Sequence, residues 1–299
     1  MNIKQDLQAL LSPDFAEMLE DIREFIIHSE TGEESSSEES HGFLWEHTLH
    51  AAAMCLKICR FEEIDPLIPV LAALFHDAGK FAEGQVHADD LPEEEGAAAI
   101  AEFFLRKAKA DGRMIQSVAE AVRRLYREGE KPNHITDIVH DADFLSKSGR
   151  LGLFTFFSKA ALRGKNLERT LMEDAGKELT YADALTGNMR TAAGKQMAAE
   201  KRTFTLDYFQ SLILELKKDG IAAFEIRNVL VPCPNKKRGT LRINIVLPET
   251  CPSCGGSWII DYAVEAGLKC QKLTAFVHCP LCATRRDQAF CLPEISPCT

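Results

Sequence analysis

LAALFHDAGK (residues 71–80) is the stretch that decides how this chain folds. It opens on an apolar run, Leu71 to Phe75, that suits the buried core of a helix. The run ends on His76 and Asp77, side by side. Burying an imidazole and a carboxylate next to Leu74 and Phe75 is costly unless something satisfies both. A divalent cation does so. It accepts a neutral ring nitrogen and a carboxylate oxygen together, and its charge offsets that of Asp77. Ala72, Ala73, Ala78 and Gly79 are small, so neighbouring helices can approach and bring further ligands.

Two more candidates lie in amphipathic segments on either side. His47 is in WEHTLHAAAMCLKI (45–58) and Asp143 in IVHDADFLSKSG (138–149). Three helices would each present one group, or in one case two adjacent groups, to a shared bundle core, as helical proteins build metal sites. Taken singly, a histidine near a helix start is ordinarily solvated or a cap, and a lone helical aspartate is ordinarily solvated. The ordered set His47, His76–Asp77, Asp143 is far harder to reach by chance.

EHTLHAA (46–52), LAALFHDAGK (71–80) and DADFLSKSG (141–149) together resemble the HD-domain superfamily of metal-dependent phosphohydrolases. The resemblance implies His47, His76, Asp77 and Asp143 as metal ligands. Asp143 is preferred to Asp141 because the family pattern places the ligand after an alanine. RGKNL (163–167) and residues 188–216 are similar to the tail of a subgroup of stand-alone bacterial HD hydrolases, which extends the likeness over about 20–218. Many dinuclear relatives carry one histidine just before a Gly-Ala pair and another before the next helix ends. LPEEEGAA (91–98) and VRRLYREG (122–129) have none there, and His87 is the nearest candidate. Phe144 stands where relatives often carry a basic residue. One metal ion is therefore expected rather than two.

The 299 residues suit one large or two ordinary domains, and 45% hydrophobic residues are ample for a core. The net charge of −10 argues against general binding of nucleic acid or anionic membrane. From residue 221 onward there are 9 Lys and Arg against 6 Asp and Glu, so the first 220 residues carry −13. The start has no basic region followed by a long apolar core, and no run of about 18 apolar residues exists, so a cytoplasmic location without membrane partners is expected. Ten cysteines in such a compartment are more naturally thiols or metal ligands than disulfides.

Residues 1–220 read as helical, with Ser12-Pro13 as a helix start and helices near 43–60, 66–82, 92–109, 113–127, 133–148, 150–163 and 188–218. TGEESSSEESHG (31–42) reads as an acidic surface loop. The three glutamates after Pro92 read as a helix start favoured by the dipole, in preference to metal ligands. FEIRNVLVPC (224–233) and LRINIVLP (241–248) read as strands, so the domain boundary is expected near Gly220. The expected fold is mainly α: an HD-type helical domain over 1–220, its core about 43–165, followed by a small β-rich module over 221–299.

Cys251-Pro-Ser-Cys254 and Cys279-Pro-Leu-Cys282 form two CxxC turns separated by 24 residues. Two such knuckles bring four thiolates onto one tetrahedral ion. The stretch 248–285 resembles a zinc ribbon, with strands in WIIDYAV and LTAFVH. A closed four-cysteine site is structural, with no open position for substrate. Cys270 and His278 are spare ligands, whereas Cys233, Cys291 and Cys298 are less regular. Lys236, Lys237, Arg238, Arg285 and Arg286 offer this module a basic face for nucleic acid or an acidic protein partner.

The expected chemistry is hydrolysis of a small phosphorylated substrate, a nucleotide or another metabolite, at one divalent cation (Mn, Fe, Co, Ni, Zn or Mg). Asp77 would orient or deprotonate water, and Lys80, at i+4 from His76, would reach the phosphate. His50 shares a helical face with His47, and Arg202 matches a family position in the tail. A weakly catalytic ligand sensor, with the ribbon docking a partner or nucleic acid, is the alternative. A nuclease is disfavoured because a polymer track needs basic residues.

Overall fold

The computed structural model describes residues 10, 13–31, 42–80, 93–126, 133–232, 240–266 and 271–291. The chain divides into two compact units. The first runs to Lys147 and includes Arg190–Gly194; the second takes Ser148–Met189 and the chain from Lys195.

The described part of the first unit is helical: α1 (Pro13–Thr31), α2 (Phe43–Phe61), α3 (Leu67–Phe75), α4 (Glu93–Lys107), α5 (Gly112–Arg123) and α6 (His134–Ser146). The short apolar α3 lies at its centre, against α2, α4, α5 and α6. Every side chain from Pro69 to Phe75 is buried. Each fully buried leucine or phenylalanine of this kind contributes about 1.5–3 kcal/mol. Asp111 caps α5 by accepting from the amides of Arg113 (2.9 Å) and Met114 (3.0 Å). Asn133 caps α6 in the same way, from Ile135 (3.0 Å) and Thr136 (3.2 Å).

The helix expected over 66–82 stops at Phe75, and residues 76–80 form tight turns. The His76 ring causes the stop. Its Nδ1 lies 2.8 Å from the Ala73 carbonyl, which a continuing helix would offer to the Asp77 amide. The turn then brings Gly79 onto the start of α4. A Cβ at Gly79 would collide with the Glu93 carbonyl oxygen and stand 2.7 Å from the Ala97 amide nitrogen.

The second unit holds α7 (Gly149–Leu162), α8 (Leu167–Thr170), a π-helical turn (Leu171–Ala175), α9 (Gly176–Asn188) and α10 (Ala192–Lys218), whose first three residues count with the first unit. Strands β1 (Phe224–Pro232) and β2 (Thr240–Pro248) pair antiparallel. Strands β3 (Ile259–Ala266), β4 (Gln271–His278) and β5 (Arg285–Cys291) form a second antiparallel sheet in that order. β5 has no counterpart among the expected strands.

The change from helix to strand falls where the sequence puts it, but the division into compact units does not fall near Gly220. The reason is β2, which is buried on both faces. Leu241, Ile243, Ile245 and Leu247 share a core with Trp258, Leu273 and Val277. Val246, on the opposite face, shares one with Leu153, Leu171, Phe209, Ile213 and Phe224. The hairpin and the later helices therefore complete each other. No described helix is long and apolar enough to cross a membrane.

Gly79→Ala is expected to destabilise the protein by about 1–3 kcal/mol, the usual cost of overpacking. Chemical denaturation measures it, and an unchanged midpoint would contradict the close approach of the 76–80 turn to α4.

Candidate metal centres

The first cluster is assembled within the first unit. α2 carries His47, the end of α3 carries His76 and Asp77, and α6 carries Asp143. His47 Nε2 lies 3.0 Å from His76 Nε2 and 3.1 Å from Asp143 Oδ1. His76 Nε2 lies 3.3 Å from the same oxygen. Asp77 Oδ2 stands 3.4 Å from His47 Nε2 and 3.7 Å from His76 Nε2. The ligand atoms of His47, His76 and Asp143 all fall within 4.8 Å of one another. Asp77 thus closes the group from the two histidines' side and is outside that tightest set.

Hydrogen bonds at the other ring nitrogens fix both tautomers. The Ala73 carbonyl can only accept, so His76 Nδ1 carries a proton. The Ser146 hydroxyl donates to the Asp143 carbonyl at 2.7 Å, so at 3.0 Å it accepts from His47 Nδ1. In the neutral rings both Nε2 lone pairs are then bare and face each other. A metal-binding histidine is oriented in just this way by its second nitrogen.

Asp143 is buried, and its Oδ1 makes no hydrogen bond. Lys147 Nζ is 2.7 Å from that oxygen, but its hydrogen bond is with Oδ2 at 3.0 Å. Tyr126 donates to Oδ2 at 2.7 Å. A buried carboxylate oxygen without a hydrogen bond, beside two bare imidazole nitrogens, fits a divalent cation. Burial pushes the Asp77 and Asp143 carboxyls up. The His76 charge, the His47 hydrogen bond and the Lys147 and Lys80 charges together outweigh it at Asp77, and Lys147 with the histidines outweighs it at Asp143, so both lie well below the usual range. Burial pulls His76 down, but Asp77 and Asp143 raise it above its usual value. Burial of the Tyr126 hydroxyl, with the Asp143 and Asp77 charges, pushes that phenol well above its usual range, so it stays a proton donor.

Lys80 is not one helical turn beyond His76, because the helix has ended. It approaches the site through Asp77, with Nζ 3.4 Å from Oδ2. Sequence reasoning missed Tyr126, Ser146 and Lys147. The last two follow Asp143 at i+3 and i+4, a spacing that shares a helix face. His50, half-buried, is outside the cluster. His87 lies outside the described residues.

Asp141 has a different task. Its carboxylate accepts from the amides of Arg190 (2.9 Å) and Thr191 (2.7 Å) and from the Thr191 hydroxyl (2.8 Å). It is fully buried and holds Arg190 and Thr191 within the first unit. Two residues apart on one helix, Asp141 and Asp143 face opposite ways.

The second cluster is in the second unit. Cys251, Cys254, Cys279 and Cys282 place their sulfurs within 4.8 Å of one another. The closest pairs are 3.5 Å (Cys251–Cys282) and 3.4 Å (Cys254–Cys279). Disulfides need about 2.05 Å, whereas four thiolates about 2.3 Å from one ion lie roughly 3.8 Å apart. The two knuckles match. The Gly255 amide donates to the Cys251 carbonyl at 2.8 Å, and the Ala283 amide to the Cys279 carbonyl at 3.0 Å. Gly255 and Ala283 both take left-handed backbone, at φ 72° and 59°, which glycine accepts freely and alanine at a cost. The Thr284 hydroxyl, 3.1 Å from Cys282 Sγ, lowers that thiol's pKa.

His278 lies 3.8 Å from Asp261 and is outside this cluster. Arg202 pairs with Asp183 at 2.5 Å. Arg285 is taken up by Asp287 and by the Phe276 ring, and Arg286 lies against Met172. Cys233, Lys236, Lys237, Arg238, Cys270 and Cys298 lie outside the described residues.

Residues 44–148 match the HD domain. That span contains His47, His76, Asp77 and Asp143. No curated protein matches the chain. Among solved structures the chain is similar to a predicted HD-superfamily hydrolase from an uncultured Thermotogales bacterium. Identity is 20%, coverage 72% of this chain and 99% of that one, and the TM-score 0.51. It is also similar to an HD-superfamily hydrolase from Bacillus thuringiensis, with 20% identity, coverage of 68% and 98%, and a TM-score of 0.49. The first likeness is one of fold.

A cation at the HD site must displace any proton on His76. Because His76 is raised, Mn²⁺ affinity is expected to start falling above the usual imidazole pKa of about 6.5 as the pH drops from about 8 to about 6. The carboxylates do not titrate in that window. Calorimetric titration across this range checks it, and a pH-independent affinity would contradict the assignment.

Proposed function

We propose that the HD domain is a metal-dependent phosphohydrolase acting on a small phosphorylated metabolite such as a nucleotide. The observation that carries this reading is the convergence of two bare Nε2 atoms and one buried carboxylate oxygen without a hydrogen bond. The charge of the first 220 residues, −13, favours a small substrate over a nucleic-acid polymer.

His47, His76, Asp77 and Asp143 would hold one cation. Among the described residues His47, His76 and Asp143 form the one cluster of histidines and carboxylates of this kind, with Asp77 beside it. When bound, such an ion lowers the pKa of water and offsets phosphoryl charge. The chain's own groups do the rest. The Ala73 carbonyl and Ser146 hold the two rings in their tautomers. Asp77 orients water, and Lys80 beside it faces the phosphoryl oxygens. Tyr126 keeps Asp143 turned toward the histidines.

The four cysteines would hold a structural zinc. Two sulfurs, those of Cys251 and Cys279, belong to buried residues of the core that packs on β2. Zinc loss would therefore loosen the helices of the second unit as well as its strands.

Asp77→Ala is expected to abolish phosphatase turnover and lower metal content by one divalent ion, while the cysteine-bound zinc stays. A screen of nucleotides, cyclic nucleotides and sugar phosphates with Mn, Co, Ni, Fe and Mg provides the assay. Full turnover by Asp77→Ala with wild-type metal content would refute the assignment. For Cys279→Ser with Cys282→Ser, zinc is expected to be lost and hydrogen exchange to rise in β1–β5 and in α9. Faster exchange confined to the two knuckles would contradict the shared core.

A further inference from the structure

The HD site has a gradient of exposure. The side chains of His76, Asp143, Asp77 and His47 are 0%, 2%, 9% and 15% exposed. Those of Lys80 and Lys147 are 32% and 49% exposed. The lysines therefore stand at the mouth, where an incoming ligand meets the cluster first.

Lys147 lies nearest the ligand oxygen. Its Nζ is 2.7 Å from Asp143 Oδ1, the same oxygen that sits 3.1 Å and 3.3 Å from the two Nε2 atoms. An ammonium and a divalent cation compete for that oxygen. Asp77, Asp143, Lys80 and Lys147 sum to zero charge, so a divalent ion makes the group +2, suited to an anion. Its repulsion then acts on Lys147, whose four-carbon stem is flexible and half in solvent. The ammonium is left at the mouth. Phe144, next to Asp143, packs in a tilted arrangement against the His140 ring, with centroids 4.8 Å apart. Lys147, one turn beyond Asp143, supplies a cation from that region of the chain.

We infer that Lys147 determines ligand specificity at the site: it neutralises Asp143 Oδ1 before metal binds and contacts the substrate's phosphoryl group afterwards. This inference rests on the phosphohydrolase reading. Lys147→Met and Lys147→Arg test it with two probes, Mn²⁺ alone and inorganic phosphate on Mn²⁺-saturated protein, both by calorimetry. Lys147→Met is expected to bind Mn²⁺ about three- to ten-fold more tightly, because the competitor is gone. It is expected to bind phosphate about ten-fold more weakly, the scale of one charge-assisted hydrogen bond. Lys147→Arg is expected to restore phosphate binding. Lys147→Gln replaces the methionine variant if thermal unfolding shows that variant misfolded.

Unchanged or weaker Mn²⁺ binding by Lys147→Met, or unchanged phosphate binding, overturns the inference. If those results accompany a wild-type protein that binds Mn²⁺ and hydrolyses phosphate esters, the phosphohydrolase reading stands and the role of Lys147 alone falls. A wild-type protein that takes up no Mn²⁺ overturns both.

Discussion

Two imidazole nitrogens with bare lone pairs face each other 3.0 Å apart inside a helical core, beside a buried carboxylate oxygen. That arrangement is repulsive unless a proton or a cation lies among the three atoms, and much of the first unit serves to maintain it. The Ala73 carbonyl commits the His76 tautomer and in doing so ends α3. The resulting turn needs Gly79, because α4 starts against it. Ser146 commits the His47 tautomer from α6, one turn beyond Asp143. The apolar burial of α3 holds these parts in place. Its side chains supply the hydrophobic free energy that offsets the desolvation of the polar groups at its end.

The same helix that brings Asp143 to the cluster brings Asp141 to the start of α10. A spacing of two residues sends them to opposite sides. Asp141 accepts from two backbone amides and a hydroxyl, and the His140 ring lies 3.0 Å from its Oδ1. Asp143 has donors on Oδ2 and none properly aligned on Oδ1. The difference in satisfaction, more than the burial they share, separates the anchor from the ligand.

Much of this was legible in the sequence. Apart from the end of α3, the helices from 43 to 162, strands β1 to β4 and the two CxxC knuckles lie within a few residues of expectation, because apolar periodicity and turn residues mark them. His47, His76 and Asp143 do meet. Four things were not legible. The early end of α3 depends on a side chain taking a backbone carbonyl, which leaves no mark in hydropathy. The division into units depends on β2 being buried on two faces, whereas an apolar strand reads the same against one partner as against two. Tyr126 and Lys147 belong to the site through distances across the fold and around a helix terminus, and neither residue type is distinctive by itself. β5, RRDQAFC, is too polar to read as a strand and is formed by pairing with β4.

The central claim is that one cation belongs among His47, His76, Asp77 and Asp143. Crystals grown with Mn²⁺ and measured for anomalous scattering test it directly. The account predicts a single peak in contact with both Nε2 atoms and Asp143 Oδ1. No peak there, or two fully occupied peaks about 3.5–4 Å apart as in two-metal sites, would contradict it.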